Sequence, residues 1–346
     1  MSRTWLITGS SRGFGLELTR AVLESGDRVL ATARRPEQLT DLLAGFGDRG
    51  RAAALDVTDP VAARAAVQAA LDAFGALDVV VNNAGYANSA AIEEMDEDDF
   101  RAQIEANFFG VVNLTRAALP VLRGQRCGTF VQFSSVGGRV GGTPGMGAYQ
   151  AAKFAVEGFS EVLANEVKPF GVNVMIVEPG AFRTDWQGSS MRLHKVGADY
   201  EPSVGEINRM RERTNGTQPG DPARAARIIV EVVGSDDPPR RLLLGAGAVA
   251  QARDAATQRA AELEQWADLS ATADFPPHSA SAASAPTDRP ALTVNTDRNQ
   301  RKATWTDRHG SSPAHRAGSG TRSQSMSLNK EIRSWPQHGR WSQWQL

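Results

Sequence analysis

A tyrosine and a lysine stand four residues apart, at Tyr149 and Lys153, near the start of a segment predicted to be helical. Residues at this spacing lie on one face of a helix, so the two side chains can meet. A neighbouring ammonium group stabilises a phenolate and lowers the pKa of the tyrosine. We therefore expect Tyr149 to serve as a general acid/base whose pKa is lowered by Lys153. The alternative is a solvated surface pair.

A serine hydroxyl is available beside this pair. A predicted strand ends at Ser134 and Ser135, and a glycine-rich loop over 137–147 leads from it to Tyr149. A hydroxyl at this place can hydrogen-bond a carbonyl oxygen next to the tyrosine. Adjacent residues of a strand point to opposite faces, so only one of the two serines is expected to take this position.

The second chemical signal is a glycine-rich turn near the N-terminus. A predicted strand runs into Gly9-Ser-Ser-Arg12-Gly13-Phe-Gly15, and a helix follows. Glycines let the backbone approach a pyrophosphate, and a helix N-terminus presents free N–H groups to the anion. The spacing is neither Gly-x-Gly-x-x-Gly nor the triphosphate loop that ends in Gly-Lys-Ser/Thr. The alternative is an ordinary loop, but the position at the first strand-to-helix junction favours a cofactor turn.

The residues after the second strand indicate which cofactor is bound. NAD-preferring folds place an acidic residue there for the ribose 2′-hydroxyl, whereas this sequence has Arg34 and Arg35. Arg34 could pair with a 2′-phosphate, and Arg12 could add a second charged fork. The sequence therefore favours NADP(H), with NAD(H) second. The other interpretation is two solvated arginines.

Strands and helices alternate over the first 250 residues, which predicts βαβ units and a parallel sheet covered on both faces. The predicted strands are Thr4–Gly9, Arg28–Arg34, Arg51–Val57, Leu77–Gly85, Gly128–Ser135, Val172–Gly180 and Arg241–Gly245. The predicted helices are Phe14–Ser25, Pro60–Phe74, Asp98–Leu122, Tyr149–Lys168 and Asp221–Val233. The fold class is therefore α/β, a single doubly wound (Rossmann) domain with a parallel sheet of about seven strands.

The third predicted helix carries an apolar stripe that an amide interrupts. The stripe consists of Phe100, Ile104, Phe108, Val111 and Thr115. Asn107 falls among these residues, where an amide is otherwise unexpected. It is either a functional group or a polar residue at the edge of the stripe.

Seven motifs follow one another along the chain. They are Thr8-Gly9-Ser-Ser-Arg-Gly13-Phe-Gly15, Leu55-Asp56-Val57, Asn82-Asn83-Ala84-Gly85, Asn107, Ser135, Tyr149-x-x-x-Lys153 and Pro179-Gly180-x-x-x-Thr184. In this order they resemble those of the short-chain dehydrogenase/reductase family in its common single-domain form, including hydroxysteroid- and retinol-type carbonyl reductases. The resemblance covers roughly residues 4–250. Each motif is weak alone, but seven in the right order on the right elements are specific.

The resemblance implies a role for each catalytic residue. Tyr149 would give a proton to a carbonyl or take one from an alcohol, and Lys153 would lower its pKa and hold the nicotinamide ribose. Ser135 would orient the substrate oxygen, and Asn107 would anchor a water in a proton relay that ends at the lysine. Ser135 lies one residue farther from Tyr149 than is usual in the family, which we attribute to an extra residue in the glycine-rich loop. Ser134 stays as the alternative.

The resemblance also implies a set of cofactor-binding residues. Asp56 and Val57 would contact adenine, Asn83 and Gly85 would border its ribose, and Thr184 would bond the nicotinamide carboxamide. The whole set is Gly9, Ser11, Arg12, Gly13, Phe14, Gly15, Arg34, Asp56, Val57, Asn83, Ala84, Gly85, Tyr149, Lys153, Pro179, Gly180 and Thr184.

The expected reaction is hydride transfer between the nicotinamide and a carbonyl or secondary alcohol. Family members carry a mobile substrate lid where this chain has residues 183–218. The aromatic residues and methionines of this segment suit a small or medium apolar substrate, although they could also simply pack the loop against the domain.

We interpret His194 as a plain loop residue and Cys127 as a small buried or edge residue. No metal-ligand spacing is present. The family usually forms homodimers or homotetramers through the two long helices that contain Asn107 and Tyr149.

Two alternatives of other classes remain. One is a non-catalytic NADP-binding regulatory protein on the same fold, although such a protein need not keep the Asn-Ser-Tyr-Lys set. The other is a nicotinamide-dependent epimerase or dehydratase. Those relatives usually have a longer substrate domain and a Gly-x-x-Gly-x-x-Gly turn, neither of which is seen in this sequence.

Composition divides the 346 residues unequally. Residues 276–346 hold 10 Lys/Arg and 4 acidic residues, and are poor in large apolar residues. We expect a disordered basic tail after a dehydrogenase domain over 1–275. Its basic residues and tryptophans make nucleic-acid binding a weak alternative, because the charges are spread thinly along the segment.

The single cysteine excludes an internal disulfide. Without a signal peptide or an apolar run of membrane length, the expected location is cytoplasmic.

Overall fold

The structure is a computed structural model that describes residues 2–188 and 190–275. The predicted basic tail, residues 276–346, lies outside the described residues. Its separation from the domain over 1–275 stays a prediction.

The described residues contain nine strands. They are β1 (Thr4–Thr8), β2 (Arg28–Ala33), β3 (Gly50–Ala54), β4 (Val79–Asn82), β5 (Ala87–Ser89), β6 (Gly128–Phe133), β7 (Val172–Pro179), β8 (Met191–Leu193) and β9 (Arg241–Leu244). Seven of them form one parallel sheet in the order β3-β2-β1-β4-β6-β7-β9. The predicted seven-stranded doubly wound sheet is therefore confirmed.

Ten α-helices occur in the same residues. They are α1 (Gly13–Glu24), α2 (Thr40–Leu43), α3 (Pro60–Phe74), α4 (Glu97–Ile104), α5 (Gly110–Gln125), α6 (Val136–Val140), α7 (Gly147–Val167), α8 (Glu206–Thr214), α9 (Pro222–Val233) and α10 (Ala246–Ala271). Two π-helical segments lie at Glu105–Phe109 and Glu201–Gly205. Short 3₁₀ turns lie at Pro36–Leu39, Gly47–Arg49, Lys168–Phe170 and Ala198–Tyr200.

Both faces of the sheet are covered by helices. Successive residues of a strand point to opposite faces, so Trp5 and Ile7 lie in one apolar core while Leu6 lies in the other. The first core includes Leu18 of α1 and Ile229 of α9. The second includes residues of α3, α5 and α7. Because the central strands are buried on both sides, their sequences are mainly apolar, as in Val79–Val81 of β4.

The strand order reverses between β1 and β4. In a doubly wound sheet, ligands bind in the crevice at the carboxyl ends of the strands beside such a switch point. The ends of β1 and β4 are joined by Thr8, whose hydroxyl accepts hydrogen bonds from the backbone N–H groups of Asn83 and Ala84 at 2.9 and 3.0 Å. This crevice is where the glycine-rich turn leaves β1.

The predicted helix Asp98–Leu122 is wrong in one respect. The π-helical segment Glu105–Phe109 divides it into α4 and α5. A π-helical insertion adds a residue to a turn, and one residue rotates the helical face by about 100°. Around this segment Gln103 and Asn107 are fully buried, while Phe100 and Ile104 are only half-buried. Asn107 therefore does not lie at the edge of an apolar stripe.

Several elements have no counterpart among the predicted ones. Strands β5 and β8 form a second, two-stranded parallel sheet, and α8 lies within the predicted lid. The long helix α10 follows the last strand of the main sheet. None of the helices in the described part of the chain is both long and apolar enough to cross a membrane. Cys127 is exposed just before β6, so a buried position for it is wrong.

Candidate active site

Tyr149 lies in the first turn of α7, and its side chain is only 7% exposed. Its ring packs against Trp186 with the ring centroids 5.3 Å apart. Ala87, Met146 and Met191 complete the apolar cluster around it. The phenol is thus held between the main body and the segment that follows β7.

Lys153 lies one helical turn farther along α7, as the spacing predicts. The side chain is 4% exposed, and its ammonium donates a hydrogen bond to the backbone carbonyl of Phe133 at 2.7 Å. The ammonium lies 5.7 Å from the centroid of the Tyr149 ring. The carbonyl at the end of β6 therefore fixes the lysine beside the tyrosine, and the surface-pair alternative is wrong.

The acidities of this pair differ from the sequence-based expectation. Burial raises the pKa of Tyr149 to about 12, and a hydrogen bond with Ser135 opposes this rise. Burial also lowers the pKa of Lys153 to about 8, with Glu157 opposing. Burial thus acts against the predicted lowering of the tyrosine pKa, because the loss of hydration disfavours the charged form of both groups. The effect of the ammonium on Tyr149 stays a prediction.

The structure distinguishes the two candidate serines. The Ser135 side chain lies close enough to Tyr149 to oppose the rise in the pKa of the phenol. Its oxygen accepts the N–H of Gly137 at 3.1 Å as the N-cap of α6. The Ser134 hydroxyl is buried and has no hydrogen-bond partner in the described part of the chain. A side chain at Gly138 would come within 2.5 Å of it. Ser135, and not Ser134, therefore lies beside the tyrosine.

Asn107 holds the segment that follows β4. Its amide nitrogen donates to the carbonyls of Gln103 and Tyr86, both at 2.8 Å, and its amide oxygen accepts the N–H of Tyr86 at 3.1 Å. A Cβ atom at Gly85 would overlap that amide oxygen and would lie 3.8 Å from the Lys153 ammonium. The glycine thus lets Asn107 approach the backbone close to the lysine.

The glycine-rich turn has the shape of an anion cradle. Gly9 and Gly13 adopt positive φ angles of 68° and 56°, and a Cβ atom at Gly15 would overlap the carbonyl of Gly9. Arg12 is the N-cap of α1 but makes no side-chain capping bond, and the first turn holds no acidic residue. The first N–H groups of α1 are therefore not capped by a side chain. These residues fit the pyrophosphate of a dinucleotide.

The charged residues of the predicted cofactor site lie at the ends of neighbouring elements. Arg34 follows β2 and Arg12 opens α1, and both are exposed. Asp56 follows β3, also exposed, and accepts the backbone N–H and the hydroxyl of Thr58 at 3.0 and 2.8 Å. All three residues lie at the carboxyl ends of the first three strands.

The remaining predicted contacts are spread along the same edge of the sheet. Thr184 lies next to the turn, because a Cβ atom at Gly13 would come within 3.5 Å of it. Pro179 ends β7, and Gly180 donates its N–H to Leu244 at 3.0 Å. Phe14 packs between the rings of Phe133 and Phe182. Ser11 is half-buried within the turn.

Asn83 and Val57 support neighbouring backbone. The amide of Asn83 donates to the carbonyl of Thr8 at 2.8 Å, which braces the turn from β4 together with the backbone of Ala84. The carbonyl of Val57 accepts the amide of Asn113 at 3.0 Å.

The segment predicted to be a substrate lid is attached to the body near its start. Strand β8 pairs with β5, and His194 just beyond it contacts Asp99 of α4 at 2.8 Å. The backbone N–H of His194 also donates to the carbonyl of Ser89. His194 is therefore a packing contact of the lid.

Sequence reasoning did not find two features of this site. The carbonyl of Phe133 is a backbone group, which has no residue signature. The partner of Trp186 could not be read from the sequence either, because 37 positions separate it from Tyr149. The aromatic residues of the segment 183–218 were the signal in the sequence that pointed to such a ring contact with Tyr149.

Comparisons with known proteins match this chain to short-chain dehydrogenases. A family model described as short chain dehydrogenase matches residues 3–193. Oxidoreductase BOA17 of Botryotinia fuckeliana is 49% identical over 271 residues, which are 78% of this chain and 98% of the relative. The structure of a short-chain dehydrogenase from Streptomyces avermitilis aligns with a TM-score of 0.74 and 40% identity, covering 80% of this chain and 99% of that one.

Two more distant structures contain nicotinamide cofactors. A short chain dehydrogenase/reductase from Burkholderia phymatum, in complex with NAD, has a TM-score of 0.65 at 22% identity over 73% of this chain and 92% of its own. At that identity the match shows the fold alone. An alcohol dehydrogenase from Thermococcus sibiricus, complexed with 5-hydroxy-NADP, has a TM-score of 0.58 at 25% identity, covering 70% and 96% of the two chains.

Proposed function

This chain belongs to the short-chain dehydrogenase/reductase family, and on that premise we propose that it transfers hydride between NADP(H) and the carbonyl or secondary-alcohol carbon of a small or medium apolar substrate, with Tyr149 as the general acid/base. The observation that carries this proposal is the buried pair Tyr149 and Lys153 at the carboxyl edge of the sheet, with the half-buried Ser135 beside the phenol. Reduction of the carbonyl is the proposed direction.

Each residue has a task that follows from its contacts. A bound nicotinamide supplies or accepts the hydride. The Tyr149 hydroxyl donates the proton to the carbonyl oxygen, and Ser135 beside it orients that oxygen through a hydrogen bond. Lys153 holds a positive charge near the phenol, and Asn107 fixes the backbone at Gly85 next to the ammonium. Trp186 excludes water from the phenol.

The apolar surroundings of the phenol support the proposed substrate class. Ala87, Met146, Met191 and Trp186 lie around the Tyr149 ring. Apolar side chains with a few convergent polar groups are typical of small-molecule sites. The test is a panel of aldehydes and ketones with NADPH, followed by cofactor absorbance. We expect turnover of apolar carbonyl compounds, and the absence of turnover across the panel would contradict the proposal.

The preference for NADP(H) is tested by Arg34→Asp. Arg34 is exposed at the end of β2, where a guanidinium can pair with a 2′-phosphate. Loss of this charge-assisted contact and repulsion by the new carboxylate should lower kcat/KM for NADPH by roughly 10- to 100-fold, while kcat/KM for NADH stays equal or rises. Steady-state kinetics with both cofactors measures the change.

Arg35→Asp is the matched control, because it makes the same charge change at the next exposed position. We expect it to alter the cofactor ratio much less. Equal turnover with NADPH and NADH in the unmodified protein would show that the assignment to NADP(H) is wrong.

The role of Ser135 is tested by comparing Ser135→Ala with Ser134→Ala. Ser135→Ala removes the hydroxyl that lies beside Tyr149 and orients the substrate, and we expect kcat/KM to fall on the order of 100-fold. Ser134→Ala removes a buried hydroxyl without a partner in the described residues, so kcat/KM should stay within about 3-fold and stability should not fall. Kinetics and thermal melts of both variants measure this. The opposite pattern would assign the role to Ser134.

We also propose that copies of the chain associate into a homodimer or homotetramer through the helices that contain Asn107 and Tyr149. Phe109, next to α5, and Phe154 and Val162 of α7 are exposed apolar side chains. Large exposed apolar residues grouped on neighbouring helices are typical of protein–protein contacts.

A further inference from the structure

The lid contains a buried arginine without an acidic partner. Arg211 of α8 is 5% exposed, and no Asp or Glu of residues 2–188 and 190–275 forms an ion pair with it. Burial lowers its pKa to about 10, with no neighbouring carboxylate opposing this shift. A buried charge is costly unless it is paired. An unpaired guanidinium in this position therefore points to a partner that the chain itself does not supply.

One edge of the Arg211 guanidinium already donates hydrogen bonds within the chain. Its Nη1 donates to the hydroxyl of Ser89 and to the amide oxygen of Asn208, both at 3.1 Å. Ser89 in turn donates to the same amide oxygen at 2.7 Å. Both acceptors are neutral, so they orient the guanidinium without neutralising it.

The other edge has no acceptor among the described residues. The Nε and Nη2 groups present two parallel N–H donors, and that pair matches the two oxygens of a carboxylate. The fixed Nη1 side keeps this fork in one orientation. A carboxylate therefore fits the free edge in both charge and shape.

The elements that hold Arg211 are those that enclose the phenol. Ser89 lies two residues after Ala87, which packs on Tyr149. A Cβ atom at Gly145, next to Met146, would come within 2.5 Å of the Ser89 hydroxyl.

The lid side of the phenol is tied to the same arginine. Gln187 follows Trp186, whose ring packs on Tyr149. The Gln187 side chain donates to the carbonyl of Arg211 at 2.7 Å. The arginine is thus one layer removed from the apolar cluster around the reacting hydroxyl.

We propose that Arg211 binds a carboxylate of the substrate, so that the carbonyl compounds reduced at Tyr149 are oxo acids. This inference rests on the proposed function and adds the substrate class to it. The apolar side chains Met146, Met191 and Trp186 contact the hydrocarbon part of the acid, and the guanidinium holds its charged end. Binding also neutralises the buried cation.

The test compares each oxo acid with its neutral methyl ester. The probes are levulinate and its longer straight-chain homologues, each beside its ester, with NADPH as the reductant. Wild-type protein should show kcat/KM at least about 10-fold higher for the best acid than for its ester, because charged hydrogen bonds favour the acid. Arg211→Gln keeps a donor for Asn208 but removes the charge. It should abolish this preference, mainly through KM for the acid.

Arg209→Gln is the matched control, because Arg209 is an exposed arginine on the same helix, paired with Glu201. It should leave the acid-to-ester ratio unchanged. Equal kcat/KM for acids and esters in the wild type would overturn the inference whether or not Arg211→Gln folds. An equal loss for acid and ester in Arg211→Gln would also overturn it, since Arg211 would then serve only to attach the lid.

The outcomes separate this inference from the proposed function. Suppose that the protein reduces other carbonyl compounds of the panel but neither the oxo acids nor their esters. This result contradicts the role of Arg211 and leaves the proposed function standing. A wild-type protein that reduces no carbonyl compound contradicts the proposed function itself.

Discussion

Replacement of Tyr149 by phenylalanine is expected to lower kcat/KM for carbonyl reduction by about 10²- to 10⁴-fold, the range attributed to general acid–base catalysis. The substitution removes only the hydroxyl oxygen. The phenyl ring keeps its contacts with Trp186, Met146 and Ala87. Thermal stability and NADPH affinity should therefore change little, so the loss belongs to the proton transfer. Steady-state kinetics, a thermal melt and a cofactor titration measure the three quantities.

The matched control is Tyr200→Phe. The chain has three tyrosines, and Tyr200 lies in the segment predicted to be the lid, where the nearby Glu93 raises the pKa of its phenol. Tyr200→Phe also removes one phenolic oxygen, but at a position outside the proposed catalytic group. We therefore expect kcat/KM to stay within about 3-fold of the wild type. A Tyr149→Phe variant that keeps more than a tenth of the activity would exclude this residue as the acid.

The acidity of Tyr149 also gives the sign of the pH dependence. Since burial raises its pKa to about 12, the hydroxyl keeps its proton at neutral pH, which is the state that donates to a carbonyl. Alcohol oxidation needs the phenolate, so its rate should rise with pH above neutrality. Reduction should be favoured at neutral pH. This agrees with the proposed direction of the reaction.

The main fold could be predicted because its determinants are local. Buried parallel strands give continuous apolar runs, such as Val79–Val81, and the helices between them carry caps such as Asp221 before Pro222. The pairing of Tyr149 with Lys153 needs only one turn of helix. The glycine-rich turn is likewise a short segment whose residues contact each other.

The features that were missed depend on contacts distant in sequence. Strands β5 and β8 have three residues each, too few to show a period. The π-helical segment at Asn107 follows from its bonds to Tyr86, 21 positions away. Helix α8 is rich in charged residues and is typical of a solvated surface, although Arg211 in it is buried. The pKa of Tyr149 depends on burial, which spacing does not report.

Replacement of Lys153 by methionine is expected to change activity and stability in different directions. The ammonium is a fixed charge beside the phenol, and loss of such a preorganised group should lower kcat/KM by about 10²- to 10³-fold. Methionine has a similar length and needs no hydration. Lys168→Met, an exposed lysine just beyond the end of the same helix, is the matched control and should keep its activity.

The effect on stability follows from the pKa of the lysine. A fall in pKa from 10.5 to about 8 on burial means that the folded state is destabilised at pH 7 by roughly 3 kcal/mol. Removal of the ammonium also leaves the Phe133 carbonyl without its donor, at a cost of about 1–3 kcal/mol. The free energy of unfolding of Lys153→Met at pH 7 should therefore lie between that of the wild type and about 2 kcal/mol above it.

The pH dependence separates these two contributions. Between about pH 8 and pH 10.5, the unfolded lysine keeps its proton while the folded one has lost it, so the stability of the wild type rises with pH in this window. Lys153→Met lacks this titration, and Tyr149 is the same in both proteins. The stability advantage of the variant over the wild type should accordingly fall by roughly 3 kcal/mol across the window. Urea denaturation at pH 7, 8, 9 and 10 measures the difference. A constant difference would show that Lys153 titrates alike in the folded and unfolded chains, and hence that its charge is not buried beside the phenol.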